Sequence, residues 1–321
     1  MAKAEYIISL IKAHFNNENE HFLTLALQIA AYEAKKWHNI TASEIKKIVD
    51  SFQTRNFRIK NKVLPNELNW LIIESTPTSN LADLIAPKNI IEKIKRIVYE
   101  YSLRNKLYSN NLKNRRKILL TGHPWTWKTF TASIISSELR LPLHTILMEK
   151  LVTKYMWETS MKLRQVFDLI KQRPGVYLFD EFDAIWGERS RDNDVWEMRR
   201  VLNSFLQFLE HDDSESIIIA ITNNPNLLDQ ALFRRFDDVI GYNLPTDEEK
   251  LSLLRNYLWR YSKKLDFKKI LPVINWLSHA EVTLACMDAI KETILNEDIE
   301  MNDQIVMRNI EDRNLAYHHK R

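Results

Sequence analysis

Glycine is scarce in this 321-residue chain: 4 are present, where an average composition of about 7% would give roughly twenty-two. Few positions are therefore free to take positive φ unless other residues are forced into them. Cysteine is nearly absent too. Cys286 stands alone, which excludes an intramolecular disulfide and points to a reducing, cytoplasmic setting. No apolar run approaches the roughly 20 residues of a membrane span. The short run Tyr6–Ile11 is soon followed by Asn16-Asn17-Glu18-Asn19-Glu20, which does not read as a signal peptide. Charge of one sign is lacking as well: 46 basic against 42 acidic residues leave +4, too mild to call for nucleic acid. What the chain has in excess is tryptophan, with 9.

Patterning divides the chain into four parts. Residues 1–55 read as three helices, with Ile7, Ile8, Ile11 and Phe15 at helical spacing, an Ala-rich apolar stretch from Phe22 to Ala34, and a Thr41-x-x-Glu44 capping box. Residues 56–80 are polar and irregular, with Pro65, Pro77 and the cluster Ser75–Asn80, and read as a linker. Over 81–245, β-rich runs at Ile118–Thr121, Leu143–Leu147, Val176–Phe179, Ile217–Ile221 and Val239–Tyr242 alternate with helical segments at Thr129–Leu139, Ser160–Ile170 and Val195–Leu209. Continuous apolar strands separated by helices predict an α/β fold, a parallel sheet covered on both faces. Beyond Pro245 the strands stop. Glu248–Tyr261, Phe267–Leu271, Ser278–Leu295 and Asn302–Arg313 predict an all-α domain over 246–321.

The chemistry is concentrated in two places. Gly122-His123-Pro124-Trp125-Thr126-Trp127-Lys128-Thr129 follows a strand and opens a helix. Its frame is that of a phosphate-binding loop, with a lysine for the terminal phosphates and a hydroxyl for Mg²⁺. The glycine expected before the lysine is Trp127. Downstream, Val176–Phe179 is an apolar strand that ends in Asp180-Glu181. Paired acids at the end of a buried strand need a partner or a metal. Asp180 suits Mg²⁺, mainly through its water shell, and Glu181 suits polarisation of an attacking water.

With these residues the chain resembles the AAA+ ATPase family, in its protein-remodelling AAA clade, over roughly 81–300. Thr222-Asn223-Asn224-Pro225 after the Ile217–Ile221 strand is similar to the family's first sensor, where Asn223 would orient water near the γ-phosphate. Leu228–Asp237 resembles the segment carrying arginine fingers, so Arg234 and Arg235 would reach the nucleotide of a neighbouring subunit. Lys154-Tyr155-Met156 resembles a pore loop that grips extended polypeptide, and Ile185–Asp194 occupies the place of a second one. Leu277–Glu281 is similar to the lid motif, without the arginine of clamp loaders. Ala82–Ala86, with Ile85, stands where relatives wrap adenine with backbone atoms. The resemblance implies a P-loop NTPase domain with a helical lid, using ATP and Mg²⁺ in a hexameric ring that remodels polypeptides. It also implies an N-terminal module for substrate or adaptor, and the possibility of a protease partner. The alternative is a scaffold of the same fold that does not turn over ATP.

The departures share one form. Trp125, Trp127, Trp157 and Trp276 stand where the family pattern has glycine, and Trp37, Trp186 and Trp196 occupy glycine-like settings. This suggests systematic replacement of glycine by tryptophan in a parent ATPase. A side chain held in left-handed conformation costs about 1–2 kcal/mol per residue. The sequence therefore predicts weak or absent ATP binding with the fold retained.

Overall fold

The computed structural model describes residues 25, 26, 28–30, 32, 68–152, 156–182, 192–224, 233–261, 263, 265–296 and 300–318. The chain forms two compact units, Met1–Asn66 and Glu67–Arg321. In the first unit the described residues are helical and fall within the expected 22–34 segment, with Leu25, Ala26 and Ala30 buried. The remaining expectations for residues 1–55 lie outside the described residues.

In the second unit six strands form one sheet: β1 (Ile72–Ser75), β2 (Lys117–Gly122), β3 (Leu143–Ile146), β4 (Val176–Phe179), β5 (Ile217–Thr222) and β6 (Asp238–Tyr242). Their order is β1-β3-β4-β5-β2-β6. β1 runs antiparallel to β3, and all other pairings are parallel. β4 and β5 are buried along their whole length, as continuous Val/Ile/Leu-rich runs with helices on both faces require. The helices are α1 (Lys88–Ser102), α2 (Arg104–Tyr108), α3 (Lys128–Leu139), α4 (Met148–Leu151), α5 (Met156–Gln172) and α6 (Asp192–His211). After the sheet come α7 (Asp247–Tyr257), α8 (Phe267–Ile270), α9 (His279–Leu295) and α10 (Asp303–His318).

The order places β2, which leads into the phosphate-type loop, between β5 and β6. Its crossover through α3 to β3 passes over β5 and β4, so a crevice opens at the carboxyl ends of β2, β4 and β5, where open α/β sheets bind ligands. Two apolar cores form. One lies between sheet and helices, built from α1, α3 and the strands (Ile94, Ile118, Ile134, Leu178, Ile219). The other joins α7 to α10 through Leu253, Leu258, Val282, Cys286 and Val306.

Besides the short helices α2 and α4, two further elements differ from the expectation. The stretch 56–80, read as a linker, contains β1: Leu71 and Ile72 are buried although Pro65, Pro77 and a polar cluster surround them. Helix α1, unanticipated, carries Ile90, Ile94, Ile97 and Tyr101 on one buried face at spacings of three and four. The described residues contain no helix long and apolar enough to cross a membrane.

Candidate active site

The loop between β2 and α3 is held by its own oxygens. Gly122 has φ +139°, and a Cβ there would sit 2.0 Å from the Tyr242 carbonyl oxygen, so only glycine lets β2 and β6 approach. Lys128 is buried, and its ammonium donates to the carbonyls of Gly122 (3.0 Å) and His123 (2.5 Å) and reaches Thr126 Oγ1 (3.3 Å). All three ammonium donors are thus occupied by the loop itself. Thr126 is fully buried and donates to the His123 carbonyl at 2.7 Å. His123 and Pro124 are exposed, and Pro124 lines the cavity described below.

Trp125 (φ 63°) and Trp127 (φ 65°) both adopt left-handed conformation. That backbone is what allows the loop to turn into α3, and glycine adopts it without steric cost. The Trp125 indole is exposed. Trp127 lies half-buried against both apolar cores at once, with its ring 5.3 Å from Phe130 and 5.5 Å from His279. A second link joins the same two parts of the unit: the Ala280 N–H donates to the Trp125 carbonyl at 3.2 Å.

The lid motif itself is a reciprocal cap. Glu281 N–H donates to Ser278 Oγ at 3.3 Å, and Ser278 N–H donates to Glu281 Oε2 at 2.6 Å. His279, next to the cap, is buried without a hydrogen-bond partner on either ring nitrogen. Burial pulls its pKa down to about 4. Ile85 packs against the same helical core, and Leu84 against the sheet core, so Ala82–Ala86 runs along the junction of the two.

Across the crevice, Thr129 Oγ1 donates to Asp180 Oδ2 at 2.8 Å, joining the start of α3 to the end of β4. Glu181 has φ 52°, and its N–H is anchored on Asp180 Oδ1 at 2.9 Å. A non-glycine residue held in that region costs of order 1–3 kcal/mol, and such strain gathers at functional sites. Asn223 follows β5, and the Asn224 N–H donates to Thr222 Oγ1 at 3.0 Å, fixing the turn out of the strand. Pro124 through Thr129, Asp180, Glu181, Asn223 and Ala280 line one cavity of about 400 Å³, within the size range of small-molecule sites. A hydroxyl beside two carboxylates, all oxygen donors, is a set that fits Mg²⁺.

Arg234 and Arg235 do not line this cavity. Arg234 is exposed, whereas Arg235 Nη1 lies 3.1 Å from Glu210 Oε2. Lys154 and Tyr155 lie outside the described residues, as do 185–191 of the second expected pore loop and 228–232 of the finger segment. Met156 opens α5. Trp157, on the first turn of α5, is exposed and does not have positive φ, whereas Trp276 (φ 62°) does. Trp37 and Trp186 lie outside the described residues, and Trp196 is placed only as a residue of α6. Sequence reasoning missed the left-handed backbone of Glu181 and the junction made by Trp127. A strand-end Asp-Glu pair gives no sign of backbone strain, and a tryptophan's contacts depend on where the helical part docks.

Residues 118–244 match the family described as ATPase family associated with various cellular activities (AAA). The whole chain is similar to an AAA family ATPase of Sinorhizobium fredii, with 28% identity over 97% of this chain and 96% of that one. It is also 29% identical to the proteasome-activating nucleotidase of Methanococcus maripaludis over 75% of this chain and 63% of the relative. Among solved structures, the FIGL-1 AAA domain shares the fold, with a TM-score of 0.59 at 19% identity over 79% of this chain and 92% of that domain.

Proposed function

This chain belongs to the AAA+ ATPase family, and from that premise we propose that it couples ATP hydrolysis to the remodelling of polypeptide substrates as a ring of like subunits. The observation that carries the reading is the single crevice into which Lys128, Thr129, Asp180, Glu181 and Asn223 are drawn from three different strand ends. Chance surface polarity does not bring a buried lysine, a hydroxyl bonded to an aspartate and a strained glutamate to one cavity.

Each residue has a task there. Lys128, held by loop oxygens, exchanges those acceptors for phosphate oxygens when a nucleotide enters, and the loop N–H groups complete the cradle. Thr129 and Asp180 would hold Mg²⁺, which when bound neutralises charge on the phosphates. Glu181 accepts a proton from the attacking water, and Asn223 orients that water. Arg234 is exposed and outside the crevice of its own subunit, so it serves a neighbour's site; Arg235 is partly engaged by Glu210. Tyr155, with Lys154 and Met156, is the polypeptide contact.

The name of the Methanococcus relative supports a protein substrate. The test is ATP turnover with and without an unfolded polypeptide, measured on the chain with glycine at 125 and 127. Stimulation by the polypeptide, lost in Tyr155→Ala while unstimulated turnover persists, is the expected result. Turnover indifferent to polypeptide would refute the remodelling reading. A second reading, a scaffold that does not turn over ATP, is favoured by one observation: both indoles line the nucleotide crevice. No turnover even with glycine at both positions would decide for it.

A further inference from the structure

Three independent observations concern the tryptophans rather than the site. First, composition: glycine is depleted to 4 and tryptophan reaches 9 in one chain. Second, backbone: six non-glycine residues among those described have positive φ, and three of them are Trp125, Trp127 and Trp276. Tryptophan is among the worst residues for that region, because a bulky side chain there is a steric outlier. Third, burial: tryptophan is normally highly buried on average, yet among the described tryptophan side chains Trp127 alone packs against a core, and it is half-buried. Trp70, Trp157, Trp259 and Trp276 are 43%, 65%, 64% and 71% exposed.

The pattern does not follow any local need for tryptophan. Gly122, where a Cβ would strike backbone, is kept, while Trp125 and Trp127 in the same loop are not glycine. Trp157 and Trp259 sit in helical turns with no need of positive φ. Selection or design would treat such positions differently. A triplet would not. UGA lies one base from the glycine codon GGA and one base from the tryptophan codon UGG.

We infer that the tryptophans of this chain stand at UGA triplets which the cell that makes the protein reads as glycine. The protein made there has a phosphate-binding loop Gly122-His123-Pro124 followed by glycine, Thr126 and glycine before Lys128, and no indole between sheet and helical part. The left-handed positions at 125, 127 and 276 are then unstrained, and the crevice is open to nucleotide.

The gene and the protein from its own cell give the test. UGA at the tryptophan positions, together with peptide masses for glycine at 125, 127 and 276, is the expected result. UGG triplets, or tryptophan masses in those peptides, would overturn the inference. A physical readout stands beside it and needs no nucleotide: Trp276→Gly, at an exposed left-handed position, raises the melting temperature by about 1–3 °C once the freer unfolded chain of glycine is set against the relieved strain. An unchanged or lowered melting temperature would contradict the backbone part of the argument. None of these results depends on ATP turnover, so failure of the proposed function would leave them standing.

Discussion

Replacing Trp127 by glycine separates what the loop needs from what the indole contributes. Relief of the left-handed side chain returns about 1–2 kcal/mol. Against this, the indole's contacts with Phe130 and His279 are worth about 0.5–1.5 kcal/mol as aromatic pairs. Its half-buried surface contributes about 1–2 kcal/mol more, and the freer unfolded chain of glycine costs about 0.5–1 kcal/mol. The balance is a loss of about 0–3.5 kcal/mol in urea unfolding. Nucleotide binding should change far more. With both Trp125 and Trp127 replaced by glycine, calorimetric titration with ATP–Mg²⁺ is expected to move from weaker than about 1 mM to about 1 μM, a gain of about 4 kcal/mol. Micromolar binding by the tryptophan-bearing chain would refute the reasoning, because the crevice would then tolerate both indoles. A stability loss well above about 4 kcal/mol in Trp127→Gly would refute it differently, by making the indole part of the core.

Further outcomes follow from the same geometry. His144 and His279 are buried neutral, with pKa values near 4 through burial and, for His144, the adjacent Arg173. Below the unfolded value of about 6.5 the unfolded chain binds more protons, so stability is present above pH ~6.5 and falls as pH drops towards 4, by about 2–3 kcal/mol per histidine. Urea unfolding from pH 7.5 to 4.5 checks this, and His279→Phe should remove about half of the dependence. Asp212 is buried and paired with Arg116 while accepting from Ser214 Oγ at 3.0 Å. Asp212→Asn should therefore cost about 3–5 kcal/mol in urea unfolding, because the guanidinium is left buried without its countercharge. In the glycine-bearing chain, Arg234→Ala should lower turnover by about 10³-fold or more with ATP affinity of the separated subunit unchanged. Mixing it with a Lys128→Ala chain should restore part of the activity.

The parallel strands were legible because burial on both faces forces continuous apolar runs; Val176–Phe179 was placed residue for residue, and the other four to within a residue at either end. The residues of the crevice were legible for a related reason: charge at the end of a buried strand is costly without a task, so Asp180 and Glu181 stood out. β1 was hidden, because it is an edge strand of four residues with one buried position and lies among prolines and hydroxyl residues that favour turns. Helix α1 was hidden by its charged outer face, although its buried isoleucines keep a helical period. The three ammonium contacts of Lys128 and the position of Trp127 between two cores arise only from tertiary packing. No local pattern encodes them.

Lys128, Thr129, Asp180, Glu181 and Asn223 line one crevice, and the proposed hydrolysis assigns them its chemistry and the loop its two glycines. Turnover of ATP by the chain carrying glycine at 125 and 127, beside the same chain with Glu181→Gln, tests it most directly. Hydrolysis is expected in the first, and in the second nucleotide binding kept with turnover lost. No hydrolysis with both glycines present, or hydrolysis that persists without the Glu181 carboxylate, would contradict it.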